Sequence, residues 1–263
     1  NNSDPRLPSY RYARYDGADN LLRVDGGVVD QGILKSDIRN YDYDATGRLT
    51  FEDSSLLATA RRYSYDANGN RYDYQQSSLA GTPLRRDQLH VESVSNRVHG
   101  ANQRADDYDA AGNQRRWVIP INNDPLSAAQ ALTDLRLIYN EAGRLHRTSL
   151  GPTTSITESA YNGLGQRTVR ATLTNGRQPT VYLYGEGGEL LSAINISRNG
   201  VVTYQDYVWL NGRPVAEVVT SPAQATPRIN YIHVNHLNQA MYMTGRNGAL
   251  TWAFKPGDAF GMD

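Results

Sequence analysis

Polar and apolar residues alternate along the chain in short runs, and turn-forming residues separate the runs. A period of two puts one set of side chains on each face of a strand, so these runs predict β-structure. Residues 10–12 (Tyr-Arg-Tyr) open the series, and residues 21–24 read as a strand that Asp25-Gly26-Gly27 ends. Residues 28–38 are less regular, and 77–83 read as a polar loop carrying Gly81 and Pro83. The second half is more strongly β, with strands expected over 168–174, 181–184, 201–210, 215–220, 231–234, 240–244 and 249–254. Asn175-Gly176 is a strong two-residue hairpin signal, and Asn199-Gly200, Asn211-Gly212 and Asn247-Gly248 mark further turns.

One segment departs from this rhythm. Over residues 122–132, Asp124 suits a helix N-cap and Pro125 the first helical position. The alanines and Leu132 that follow favour a short helix. It reads as a decorated loop between strands, in preference to a docking or plugging element.

A recurring phrase punctuates the strands. Clear copies start at Tyr43 (Y-D-A-T-G-R-L), Tyr65 (Y-D-A-N-G-N-R), Tyr108 (Y-D-A-A-G-N-Q), Tyr139 (Y-N-E-A-G-R-L) and Tyr161 (Y-N-G-L-G-Q-R). The tyrosine closes a strand with an apolar ring whose hydroxyl can stay wet. Its neighbour, as in Asp44, Asp66 and Asp109, can hydrogen-bond the backbone two residues on. The glycine four positions after the tyrosine (Gly47, Gly69, Gly112, Gly143, Gly165) can take positive φ. The phrase therefore encodes a hairpin. Three altered copies share the frame: Tyr15 with Asp19 in the glycine place, Val91 with only the Asn96-Arg97 exit, and Tyr184 with Gly185 replacing the acid and Gly188 retained. Successive starts lie 17 to 31 residues apart, about two strands with their turns, and the repeats cover residues 10–190.

Composition narrows the function classes. Acids and bases balance at 27 each, so there is no electrostatic footprint for nucleic acid or an anionic membrane. The excess of 18 tyrosines over 3 phenylalanines favours amphipathic surfaces over a thick apolar core. Without cysteine, disulfide and thiolate chemistry are excluded. No apolar run is long enough for a transmembrane helix. Asn1 in place of methionine is expected to mark a fragment of something longer.

Candidate chemistry is sparse. His233 and His236 flank Asn235, but residues three apart on a strand face opposite ways. Asp42, Asp44, Thr46 and Asp53 imitate the spacing of a calcium loop, although their flanks read as strands. Turn chemistry accounts for these acids without a metal. There is no G-x-S-x-G elbow, and residues 185–188 lack the lysine and helix of a phosphate loop. No catalytic, metal or cofactor residue is assigned. The tyrosines are expected to form cross-strand contacts with neighbouring turns in preference to stacking on sugars.

The phrase Y-D-x-x-G at this spacing resembles the YD repeats of bacterial Rhs proteins, toxin-complex C components and animal teneurins. Residues 204–218 (Y-Q-D-Y-V-W-L-N-G-R-P-V-A-E-V) look like the Rhs-core segment that follows the last clear repeats. Residues 231–248 look like the family stretch Y-x-H-x-D-H-L-G-x-P, which here includes His233, His236 and Leu237. Trp252, followed by Asp258-Ala259-Phe260-Gly261, is similar to the family's tryptophan and acid-x-Phe-Gly. Asn235, Asn238 and Ala240 depart from the usual acid, glycine and proline.

The resemblance implies an all-β fold. It would be a YD-repeat β-hairpin strip, part of a spiralling hollow shell, with one short helical insertion. Residues 1–263 would form a single strip, with a core-like segment over about 200–263. The implied role is a wall segment of a secreted or cell-surface toxin that encloses and helps deliver a C-terminal effector. The implied partners are further YD-repeat segments, the enclosed toxin polypeptide, and secretion-system or toxin-complex components. Many family members self-cleave near D-P-x-G motifs, but Asp4-Pro5 and Asp124-Pro125 lack the glycine, so no enzymatic activity is expected. The alternative is an adhesion module that binds carbohydrate or a receptor through its tyrosine-rich turns.

Overall fold

The computed structural model describes residues 10–30, 33–92, 94–101, 107–120, 132–235 and 238–254. Every described element is a strand, and the protein is all-β. The first eight strands are β1 (Tyr10–Tyr15), β2 (Leu21–Asp30), β3 (Ile33–Tyr43), β4 (Leu49–Ser54), β5 (Thr59–Tyr65), β6 (Arg71–Ser78), β7 (Pro83–Val91) and β8 (Val98–Ala101). They form one antiparallel sheet in chain order. A second sheet of 13 strands, also in chain order, follows. It comprises β9 (Asp107–Tyr108), β10 (Gln114–Pro120), β11 (Leu132–Tyr139), β12 (Leu145–Leu150), β13 (Thr154–Tyr161), β14 (Arg167–Thr172), β15 (Gln178–Tyr184), β16 (Leu190–Ile196), β17 (Val202–Leu210), β18 (Arg213–Thr220), β19 (Arg228–Val234), β20 (Ala240–Gly245) and β21 (Leu250–Ala253). The chain divides into two compact units, one built mainly on each sheet. Repeats and the core-like segment share the second sheet without a break.

Three local expectations are corrected. Gly26 and Gly27 do not end a strand, because β2 runs through them. Gly26 pairs with both Tyr10 and Asp37, so ladder bonds on two sides hold a residue that is flexible by itself. The irregular stretch after residue 28 becomes a hairpin of β2 on β3. Ser77 and Ser78 belong to β6, and the loop shrinks to a tight turn between Ser78 and Thr82. The helix expected over residues 122–132 lies outside the described residues, apart from Leu132, which opens β11.

The buried face of the first sheet is charged and aromatic. Pairing puts Tyr41, Glu52 and Arg61 in one row, and Tyr63 pairs with Tyr74 beside it. Glu52 is 1% exposed and Arg61 2%. Glu52 Oε1 accepts from the Tyr63 hydroxyl at 2.7 Å and from Arg61 Nη1 at 3.4 Å. The Arg71 guanidinium stands over the rings of Tyr63 and Tyr74, and Arg85 over Tyr74. Burial alone would raise the Asp37 carboxyl, but donors from Arg39, the Leu56 N–H and Ser54 bring it below its ordinary value. Burial pushes the Tyr41 hydroxyl up to about 12.

The buried face of the second sheet is built from amides and small apolar residues. Ala171, Ala193 and Val219 are buried. Thr180, Asn195, Gln205, Glu217 and Asn230 form a hydrogen-bonded ladder across β15 to β19. Thr180 Oγ1 donates to Asn195 Oδ1 at 2.8 Å, and Asn195 Nδ2 donates to Gln205 Oε1 at 2.9 Å. The two oxygens of Glu217 accept from Gln205 at 3.3 Å and from Asn230 at 2.7 Å. Buried polar groups are tolerated where each finds such a partner.

Candidate functional site

The chain's distinctive feature is the rim where the repeat turns lie. In an antiparallel meander, alternate connections fall on the same side. The turns of the Tyr15, Tyr43, Tyr65 and Val91 copies therefore share one rim of the first sheet. Those starting at Tyr108, Tyr139, Tyr161 and Tyr184 share one rim of the second.

Each clear copy closes in the same way. The Asp44 N–H donates to the Arg48 carbonyl at 2.9 Å, and the Gly47 N–H donates back to the Asp44 carbonyl at 3.0 Å. One Asp44 carboxylate oxygen accepts from the backbone N–H groups of Thr46 and Arg48. Asp66, Asn140 and Asn162 accept in the same pattern, and Asp109 accepts from the Asn113 N–H. Gly47, Gly69, Gly112, Gly143, Gly165 and Gly188 all have positive φ. This is a three-residue loop with a left-handed residue at its bulge. At Gly165 an added Cβ would also meet Arg144 Nη2 at 2.6 Å, the far end of a flexible side chain that can shift.

The altered copies keep much of the geometry. Asp19 takes φ of 62° in the glycine place of the Tyr15 turn. In the Val91 copy the turn is one residue longer, from Glu92 to Arg97, with Asn96 at positive φ. Four further turns, starting at Ser78, Ser197, Asn235 and Gly245, share the closure without being legible as copies. Asn235 and Gln239 close the same five-residue ring, with Asn238 at φ 60°. The departures from acid and glycine thus preserve the turn, since asparagine accepts as aspartate does and tolerates left-handed φ. On the opposite rim, the turn from Ser78 to Thr82 has the same closure, with Ser78 Oγ accepting from the Thr82 N–H.

The carboxylates of these turns titrate low. In Asp66 and Asp109, the side-chain amides of Asn70 and Asn113 are the first cause, with backbone donors beside them. In Asp44, the Arg48 backbone N–H leads, followed by the Thr46 hydroxyl. Both Asp44 oxygens are thus taken by donors of its own turn, and Asp53 accepts from Asn40. Among the described residues no three His, Asp or Glu side chains converge as a metal site.

Consecutive repeats are joined by an aromatic latch. The Tyr65 hydroxyl donates to the Leu49 carbonyl at 2.7 Å. Tyr161 donates to Leu145 at 2.7 Å and Tyr184 to Arg167 at 2.9 Å. Trp209 Nε1 donates to the Leu190 carbonyl at 2.8 Å. In all four, the acceptor lies two residues, and the aromatic three residues, past the last paired rung of the ladder between the strands. The carbonyl there has run out of backbone partners, and the aromatic supplies the missing donor. Arg48 adds a guanidinium 5.0 Å from the Tyr65 ring centre and a bond from Nη1 to the Asp66 carbonyl. The latch is a cross-strand contact with the neighbouring turn, made through a hydroxyl-to-carbonyl bond and a guanidinium over the ring. Trp209 was missed because indole N–H stands in for a phenol.

In the core-like segment, His233 stacks on Tyr242, with ring centres 4.2 Å apart, and a ring nitrogen lies 2.9 Å from Thr244 Oγ1. Burial lowers the His233 pKa, which favours the neutral ring. His236 and Leu237 lie outside the described residues. Trp252 is half-exposed on β21, paired with Met243.

No family model matches the chain, and no curated protein matches it. Solved structures do. The crystal structure of TcdB2-TccC3-TEV matches at 12% identity with a TM-score of 0.37, over 94% of this chain and 20% of that one. The crystal structure of TcdB2-TccC3 matches at 12% identity with a TM-score of 0.35, over 92% of this chain and 20% of that one. The form without its hypervariable C-terminal region matches at 10% identity with a TM-score of 0.25, over 92% and 19%. The chain spans about a fifth of the length of the solved chains it matches.

Proposed function

We propose that this chain is a wall segment of an exported YD-repeat toxin protein, which encloses a C-terminal effector polypeptide and helps deliver it. The observation that carries the reading is the series of like hairpins, latched one to the next through backbone carbonyls. Such a strip grows by repetition, and each hairpin buries its face only beside its neighbours. Its buried faces are charged or amide-rich, which suits a polypeptide that must be held without strong apolar grip. The partners in this reading are further repeat segments, the effector, and secretion-system or toxin-complex components. No helix of the described residues is long and apolar enough to cross a membrane. No catalytic step is part of the proposal.

The test is limited proteolysis of the full-length protein with its own downstream polypeptide. Enclosure predicts that this polypeptide survives protease while the wall is intact and is digested once the wall is opened by urea. Equal digestion in both conditions would sink the proposal. The half-exposed Tyr72, Tyr204 and Tyr231 favour a second reading, a glycan-binding adhesion module. Saturable glycan binding that is lost on their replacement by alanine would establish it.

A further inference from the structure

The chain holds six Asn-Gly pairs, starting at Asn68, Asn162, Asn175, Asn199, Asn211 and Asn247. Such a pair can react with itself. The glycine nitrogen loses its proton and attacks the asparagine Cγ, unhindered by a β-carbon. An N–Cγ bond forms, the bond from Cγ to the side-chain nitrogen breaks, and ammonia leaves. Water then opens the succinimide at either carbonyl, giving aspartate or isoaspartate. The balance is one water in and one ammonia out, with no oxidant, reductant or enzyme.

The fold sorts these pairs into two groups. In three of them the nucleophile is occupied. Gly69 N–H donates to Asp66 at 3.1 Å, Gly200 N–H to Ser197 at 3.0 Å, and Gly248 N–H to Gly245 at 3.0 Å. In the fourth the electrophile is pinned. Asn162 Oδ1 accepts from the N–H groups of Leu164 and Gln166, and its Nδ2 donates to Gln166 Oε1 at 2.7 Å. The remaining pairs have both residues at positive φ: Asn211-Gly212, at 49° and 73°, is a two-residue loop between the paired Leu210 and Arg213, and Asn175-Gly176, at 62° and 98°, lies in the longer loop between the paired Thr172 and Gln178. The two-residue turn at Asn211-Gly212 closes without the N–H of its second central residue. Neither glycine N–H and neither asparagine side chain makes a hydrogen bond among the described residues. All four residues are exposed.

We propose that Asn175 and Asn211 are spontaneous deamidation sites, and that the three-residue turn protects Asn68, Asn199 and Asn247. Isoaspartate at Asn211 would route the backbone through the side chain and lengthen the turn between β17 and β18. The inference is independent of the enclosure reading.

The experiment holds the intact protein in mildly alkaline buffer, folded and in concentrated urea. Peptide mapping by mass spectrometry follows each of the six sites, and isoaspartyl methyltransferase labelling identifies isoaspartate. In the folded protein Asn175 and Asn211 should each outpace the other four by about fivefold or more, the worth of one ordinary net hydrogen bond. In urea the six rates should converge. If any protected site keeps pace with Asn175 or Asn211 in the folded protein, or if the spread persists in urea, the inference is overturned.

Discussion

In the first sheet, Glu52 and Arg61 face each other almost sealed from solvent, and the rim turns at Asp16, Asp44 and Asp66 carry carboxylates. In the second, Glu217 sits between two amides, and the rim turns at Asn140, Asn162 and Asn235 carry asparagine. The hairpin geometry is common to both, but the first sheet satisfies it with carboxylates and the second mostly with neutral groups, Asp109 being the carboxylate among its turns. The lesson is that the repeat specifies hydrogen-bond direction and leaves charge free. Charge then sets how each unit responds to a lost partner and to acid.

The largest expected difference comes from removing one buried partner. Arg61→Ala would take the guanidinium from beside the buried Glu52 and leave the Tyr63 hydroxyl donating to it, a loss of up to about 3–5 kcal/mol. Glu217→Gln, which removes a charge but keeps an acceptor, should cost only about 1 kcal/mol. Urea unfolding separates the units, because Trp117, Trp209 and Trp252 all belong to the second and far-ultraviolet dichroism reports both. Equal costs would remove the ionic distinction between the sheets.

The latch should be indifferent to that distinction. Tyr65→Phe in the first sheet and Tyr161→Phe in the second each leave a carbonyl without its donor, for about 1 kcal/mol. Trp209→Phe should match them, and Trp209→Tyr should lose less, since a phenol fills this role elsewhere. A loss confined to one sheet, seen in the same unfolding curves, would show that the latch depends on its surroundings.

The smallest effect is acid-dependent. The Asp44 and Asp66 carboxyls are held below their ordinary values, so they contribute stability above the unfolded carboxyl pKa of about 3.9, lost as pH falls through their lower folded values. Asp66→Asn should keep the turn, as Asn140 and Asn162 do, leave stability at neutral pH nearly unchanged and shift acid unfolding to lower pH. An unmoved acid midpoint in a pH titration by circular dichroism would mean these turns do not set the response.

The Tyr-Asp-x-x-Gly turns were legible because they complete their hydrogen bonds within five residues. The pairs at 175-176 and 211-212 were legible as turns because asparagine and glycine both tolerate the positive φ they adopt, although the loop at 175-176 is longer than the two residues expected. The turn at Asn235 hid because two asparagines perform the roles of an acid and a glycine, and the one at Ser78 because a hydroxyl replaces a carboxylate. Gly26-Gly27 was misread because its strand conformation comes from neighbours on both sides. The sealed Glu52–Arg61 pair gave no warning. Alternation assigns residues to faces, but when both faces carry charge it does not say which is covered.

All signature turns in each sheet lie on one rim, so inserting a single strand would send every later turn to the other side. Two strands are the smallest insertion that leaves them in place. At the level of the gene, unequal exchange between two turn-coding stretches adds or removes a whole hairpin. Each product then has its turn donors and its latch in phase, so the sheet's length can evolve without its pattern being reinvented.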